Sequence, residues 1–262
     1  MSSAARFPSV FLAHGSPLLL DDAVWVDELR RWADAMPRPR AVLMISAHWV
    51  DAPVTLGATR TAPLVYDFYG FPDRYFSVKY PAPGAPGLAE RVRALLSPAG
   101  PVASDPGRGL DHGAYVPLVA MYPRADVPVL QISIPTLDPG ALVELGRRLA
   151  PLRDEGVLIV GSGFITHNMR AIAWGDSPPP PPSWATDFDA WAREMVEKRD
   201  VDALLHYREK APGVRMALPT HEHFVPLAVS LGTSLAVGAE AAAFPITGFT
   251  YGSFTKRSVQ FG

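Results

Sequence analysis

The sequence predicts an α/β fold, a largely parallel β-sheet flanked by helices, within a single domain spanning residues 1–262. Three observations carry that prediction. Short apolar runs rich in branched residues alternate along the chain with stretches whose apolar positions fall three and four residues apart, the rhythm of βαβ units. The runs are apolar on consecutive positions rather than on every second one, as strands covered on both faces must be. And 262 residues, 48% of them hydrophobic and 19% charged, suffice to bury one sizeable core.

Taken in order, SVFLAH (9–14) is the first predicted strand, followed by the amphipathic AVWVDELRRWADAM (23–36). AVLMISAH (41–48) is the second strand and GLAERVRALL (87–96) the next helix. A further helix is expected to start near Ala114, just after His112. VPVLQISI (127–134), ALVELGRRLA (141–150) and GVLIVGSG (156–163) continue the alternation. The proline run DSPPPPPS (176–183) can continue neither a helix nor a central strand and predicts an extended surface loop within the domain. SWATDFDAWAREMVEKRD (183–200) is again helical in period. The last helix is expected to start at Thr220 as N-cap, with Glu222 in its first turn against the positive helix end and Gly232 stopping it. No repeat of fixed period appears, but HGAYVPL (112–118) echoes HEHFVPL (221–227).

Composition excludes several functions. Net charge is −2, with 24 basic and 26 acidic residues scattered, so no polyanion footprint exists and nucleic acid is not an expected partner. No run of 18 apolar residues is present, and MSSAARFPSVFLAHGSP lacks the features of a secretory signal; no membrane partner and a cytoplasmic location are the expectations. The absence of cysteine rules out disulfides, thiolate zinc sites and cysteine nucleophiles. Any metal must be held by nitrogen and oxygen. No feature of the sequence signals an oligomeric state.

The seven histidines point to chemistry. His14 and His48 each close a predicted strand, and His167 follows the strand LIVGSG. In open parallel sheets the ligand crevice lies beyond the strands' carboxyl ends. His112, His221 and His223 sit at helix starts, which face the same rim. A lone histidine at a strand end is usually a hydrogen-bonded structural residue, but several arriving at one rim are the sequence sign of a shared metal or catalytic site. His206, on the charged segment DALLHYREK, fits a solvated surface and takes no role. Between His221 and His223 the choice stays open, although the echo aligns His221 with His112 and leaves His223 as the extra group.

HGSP (14–17), SAHW (46–49), YDFYGFP (66–72), GLDHGAYVPL (109–118), GSGFITHN (161–168) and EHFVPL (222–227) resemble, in order and spacing, the class III extradiol ring-cleavage dioxygenases, in particular their DOPA 4,5-dioxygenase-like, LigB-type branch. The resemblance runs from about residue 11 to FTYGSFTKRSVQF at the C-terminal end. It implies a single domain with a mixed, largely parallel sheet and one metal at its rim. It implies His14, His48 and His223 as metal ligands, His167 as the acid/base residue, and His112 as a second histidine beside the substrate. His221 and Glu222 fall to an outer shell around the metal. The broader class often uses two histidines and a carboxylate; here the third position reads as histidine, with Glu222 as its alternative. Three neutral imidazoles leave the ion its full double charge, which favours an anionic ligand such as a catecholate.

The resemblance thus implies a non-haem enzyme that opens a catechol ring with O2 beside the diol, giving a ring-opened semialdehyde. Ferrous iron is the expected cofactor, with zinc able to occupy the same site. His167 takes the substrate proton, a transfer that an ordinary imidazole pKa near 6.5 would suit. The aromatic residues of YDFYGFPDRYF (66–76) are candidates for an apolar wall around the ring, and Tyr251 and Ser253 for polar contacts to it. Two rival readings use the same residues: a zinc hydrolase, against which stands the absence of an HExxH helix, and a protein holding a structural metal without catalysis.

Overall fold

The computed structural model describes residues 6–175, 178–238 and 240–262. Its strands are β1 (Ser9–Ala13), β2 (Ala41–Val50), β3 (Val54–Leu56), β4 (Val102–Ser104), β5 (Val129–Ile134), β6 (Val157–Gly163), β7 (Ala242–Ala243), β8 (Phe249–Thr250), β9 (Phe254–Thr255) and β10 (Val259–Phe261). Its α-helices are α1 (Ala23–Ala35), α2 (Pro86–Leu96), α3 (His112–Met121), α4 (Pro139–Leu149), α5 (Pro151–Asp154), α6 (Ser183–Lys198), α7 (Val201–Leu205), α8 (Tyr207–Lys210), α9 (Val214–Ala217) and α10 (Pro226–Leu235). Eight strands form one sheet in the order β4-β3-β5-β2-β6-β1-β10-β7. The four long apolar runs are its parallel centre, β5-β2-β6-β1. Antiparallel pairings of β3 with β5 and of β10 with β1 and β7 make the sheet mixed. This is the predicted α/β class.

Consecutive apolar residues on the central strands serve two cores. Leu43, Ile45 and Ile159 face one side, where α2, α4, α6 and α10 contribute Val92, Leu142, Phe188 and Val229. Val42, Met44, Leu158 and Val160 face the other, against Trp25 and Leu29 of α1 and Tyr115 and Leu118 of α3. Alternation of side chains across a strand therefore holds, with both faces covered. Asp22, Asp111 and Asp138 cap α1, α3 and α4 by accepting from Trp25 N, Ala114 N and Ala141 N at 2.9, 3.1 and 2.7 Å. Each is a capping contact of about 1 kcal/mol. Pro178–Pro182 run as a loop into α6, while Asp176 and Ser177 of that predicted loop lie outside the described residues, as do the first five residues. Among the described residues no helix is long and apolar enough to cross a membrane.

The last helix departs from expectation. It starts at Pro226, not Thr220, because residues 220–225 turn on themselves: Phe224 N and Val225 N both donate to His221 O, at 3.1 and 3.2 Å. Proline at the first helical position lacks only an N–H that would have had no partner there. Thr220 caps nothing; its hydroxyl donates to Glu222 Oε1 at 2.8 Å. Nor does Gly232 end the helix. It lies inside α10 at the crossing with α4, where a Cβ would stand 2.1 Å from Val143 O. The echo between HGAYVPL and HEHFVPL is likewise one of sequence only, since Pro117 sits within α3 whereas Pro226 begins α10.

Candidate active site

Three imidazoles meet at the carboxyl edge of the sheet. His14 follows β1 directly, and His48 lies near the end of β2, where pairing with β5 shifts between Ile45 and Val50. Such an irregularity re-aims side chains. His223 comes from the turn before α10, held because Phe164 N, just past β6, donates to His223 O at 2.8 Å. His14 Nε2 and His48 Nε2 are 3.1 Å apart, and His48 Nε2 and His223 Nε2 3.3 Å. α3 presses on this cluster: a Cβ on Gly113 would lie 2.4 Å from Ser46 Oγ and 3.0 Å from His48 Cδ2, so the DHG motif needs glycine after its histidine.

What stands behind each ring decides its tautomer. Ser162 Oγ donates to Gly113 O at 2.5 Å, which leaves the hydroxyl to accept from His14 Nδ1 at 3.0 Å. His223 Nδ1 donates to Glu222 Oε1 at 2.9 Å, and His48 Nδ1 lies 3.4 Å from Asp67 Oδ2. With the proton on every Nδ1, the three Nε2 lone pairs are left to converge, an arrangement suited to a cation. Two nitrogens bound to one ion at metal–N distances near 2.1 Å stand about 2.9–3.4 Å apart. The observed separations fit. Two overlapping groups, His48–Asp67–His112 and His167–Glu222–His223, also bring possible ligand atoms together. In both, carboxylate oxygens are already engaged by imidazole N–H groups.

Burial pushes His14 and His48 well below the ordinary imidazole value of 6.5, and the neighbouring histidines push the same way. His223 is lowered too, burial outweighing the opposing pull of Glu222. The Glu222 carboxyl is pushed up by burial, but the bond from His223 and its charge outweigh this and hold it at about 2. In the folded metal-free protein the three imidazoles are therefore neutral, whereas unfolded they take up protons below about 6.5. Stability so rises with pH to that value and falls beneath it, each imidazole adding about 1.4 kcal/mol of loss per pH unit. Thermal melting of metal-free protein is expected to drop steeply between pH 6.5 and 5; bound metal should raise the melting temperature but leave that slope, because the folded imidazoles stay unprotonated either way.

The remaining predicted residues fall into place unevenly. His112, the first residue of α3, bonds Asp67 Oδ1 through Nδ1 at 2.8 Å and through its backbone N at 3.1 Å. His167 stacks on His223, ring centroids 3.5 Å apart and 8° from parallel. Its pKa is not the ordinary one expected from sequence: burial, reinforced by His223, pushes it down to about 2 against the opposing pull of Glu222. Tyr251 lines the cavity, its hydroxyl 2.8 Å from Ser16 Oγ. Ser253 does not: it is buried behind the wall and donates to Ala171 O at 3.2 Å. His221 makes no contact with the cluster's rings; it lies against Tyr207, centroids 5.5 Å apart, because the turn sends adjacent side chains to opposite sides. His206 is on the surface beside Asp202.

Asp67 was the residue sequence reasoning passed over. It sits inside the YDFYGFP motif, and a carboxylate amid six aromatic or turn residues was the available signal. Its two oxygens serve His48 and His112 separately. Asp67→Asn is expected to weaken metal retention by about 10–100-fold, checked by chelator competition, because an amide offers one acceptor where two N–H groups need one each.

In front of the imidazoles opens a cavity of about 660 Å³ lined by His14, His48, His112, His167 and His223 at its polar end and by Phe68, Tyr69, Phe71, Phe164 and Trp174 among its apolar residues. Of the predicted aromatic wall, Tyr66, Tyr75 and Phe76 stand outside it: Tyr66 donates to Val78 O and Tyr75 to Asp21. Converging nitrogen donors that open onto an aromatic-walled cavity, at the rim of a mixed α/β sheet, make a candidate metal centre accessible to a small molecule.

Comparison with known proteins narrows the class. Residues 10–258 match the family described as the catalytic LigB subunit of aromatic ring-opening dioxygenase. A 4,5-DOPA dioxygenase extradiol from Escherichia coli (strain K12) is 38% identical over 99% of this chain and 96% of its own length. One from Beta vulgaris is 41% identical over 86% of this chain and 85% of its own. A crystal structure of an uncharacterized Escherichia coli K12 protein superposes with a TM-score of 0.82 at 36% identity, covering 98% of this chain and all of that one. The chain belongs to the LigB family of class III extradiol dioxygenases. It is an aromatic ring-opening dioxygenase, an oxidoreductase acting on a small molecule with O2, and the hydrolase and non-catalytic readings are set aside.

Proposed function

We propose that this dioxygenase acts on a catechol-type substrate, cleaving the ring beside the diol to a semialdehyde, with ferrous iron held by Nε2 of His14, His48 and His223. When bound, iron supplies the one-electron chemistry that lets triplet oxygen react with a spin-paired ring, which zinc in the same place does not. The observation that carries the reading is the convergence of three Nε2 atoms at the polar end of an aromatic cavity.

The chain's own groups then divide the work. Asp67, Ser162 and Glu222 hold the Nδ1 protons and so keep every Nε2 free. His167 lines the cavity beside the three imidazoles, where it can take a proton from a catechol hydroxyl; burial makes it a weak base, an effect that the charge of Glu222 opposes. Its cation is then a strong acid, ready to return the proton to a developing oxyanion, and the charge of Glu222 makes the cation bearable meanwhile. His112, its Nδ1 engaged by Asp67, lines the cavity with its other nitrogen left for a substrate oxygen. Phe68 and Phe164 flank the polar end and exclude water from it. The names of the relatives make 4,5-DOPA cleavage the first activity to test.

Metal-free protein loaded with ferrous iron and given catechols in air is expected to consume oxygen and form a yellow ring-fission product, while zinc-loaded protein does neither. Stoichiometric iron with no oxygen uptake from any of a panel of substituted catechols would contradict the proposal.

A further inference from the structure

The same cavity carries information about what hangs from the ring. Its volume of about 660 Å³ lies in the range of drug-sized ligands, and a bare catechol leaves most of it unfilled. The apolar part extends to the surface: Met169 and Trp174 are 63% and 55% exposed, and Tyr69 92%. Phe71 packs edge-on against Trp174, centroids 6.4 Å apart, and Trp174 lies 5.3 Å from Tyr251. Large aromatic side chains left in water around a cavity mouth mark a surface that something apolar covers.

Charge is the second observation. Among the described residues lining the cavity there is no lysine or arginine. Arg74, on the segment that follows Phe71, is bonded to Asp21; Lys256 is on Glu28 and Arg257 on Asp189. Arg170, next to Met169, is exposed and outside the lining. The one carboxylate in the cavity, Asp67, is taken by His48 and His112. An amino-acid side chain on the ring would bring a carboxylate and an ammonium to this wall. Either they remain in water, leaving the aromatic surface wet, or they lie against it, the carboxylate meeting ring faces and no cationic partner among the described lining residues.

We propose that the preferred substrate is a catechol bearing a bulky, uncharged apolar substituent, an aryl or branched alkyl group, seated against Phe71, Met169, Ile172 and Trp174; this rests on the ring-opening reading above. Area buried on the wall is gained by such a group and by no charged one of similar size.

Zinc-loaded protein binds without turnover and allows affinity to be read alone by titration calorimetry. 3- and 4-phenylcatechol, catechol, DOPA and dopamine are the probes. The better phenylcatechol is expected to bind at least about tenfold more tightly than catechol and than DOPA, the discrimination of a good apolar pocket, and kcat/KM of the ferrous enzyme should rank the same way. Trp174→Ala should remove most of that advantage, and Arg170→Ala should leave the ranking unchanged. If DOPA or dopamine binds as tightly as either phenylcatechol while ferrous enzyme still opens catechols, the substituent class is overturned and the ring-opening reading stands. If ferrous enzyme consumes oxygen with none of the five, the reading beneath it falls.

Discussion

His48→Ala is expected to lose both its metal and its oxygen uptake. His48 Nε2 is 3.1 Å from that of His14 and 3.3 Å from that of His223, so its removal leaves two of the three converging nitrogens. The effect should exceed the about 10–100-fold that follows loss of an outer partner, and His14→Ala and His223→Ala should match it. Metal content after dialysis against a weak chelator, together with oxygen uptake, checks all three. His221→Ala is the control: that ring rests on Tyr207, and the variant should keep its metal. Loss of metal from His221→Ala and its retention by His223→Ala would reverse the assignment within the pair. Folding is separable from binding here, because deletion of a buried imidazole that resists protonation should soften, not sharpen, the acid sensitivity of metal-free protein.

The second large effect is kinetic. His167→Ala should retain metal at wild-type stoichiometry yet lose about 10²–10⁴-fold in turnover, the usual contribution of a general acid/base. Its ring lies flat on that of His223 rather than pointing with the three converging nitrogens, so the cluster survives its removal. Burial disfavours the protonated ring, and Glu222 alone opposes that push. If metal is lost together with activity, His167 belongs among the ligands instead.

Much of this was readable in the chain. The central strands were legible because runs such as VLIVGSG are apolar on consecutive residues, and both cores now account for that: Val157 and Ile159 face one, Leu158 and Val160 the other. β3, β4 and β7–β10 were not, since two or three residues carry no period and pair only because a neighbouring strand is in place. At the site, histidines were visible because each lies near a strand's carboxyl end or near the start of a helix. Their partners were less so: Asp67 and Ser162 acquire meaning only from which Nδ1 they meet across the fold. Thr220 misled for a similar reason. Threonine before an apolar run is a cap signal, but here its hydroxyl goes to Glu222, and Pro226 opens the helix six residues later. Ser253 was drawn in by its place beside Tyr251, yet Tyr251 and Gly252 take left-handed backbone at φ 51° and 80°, and the loop turns Ser253 inward.

One measurement bears on the central claim directly: an anomalous-difference map at the iron edge from crystals of ferrous-loaded protein grown without oxygen. A single peak about 2.0–2.3 Å from Nε2 of His14, His48 and His223, open toward the aromatic cavity, is the result expected. A peak seated instead between Asp67 and His112, or between Glu222 and His167, would contradict it.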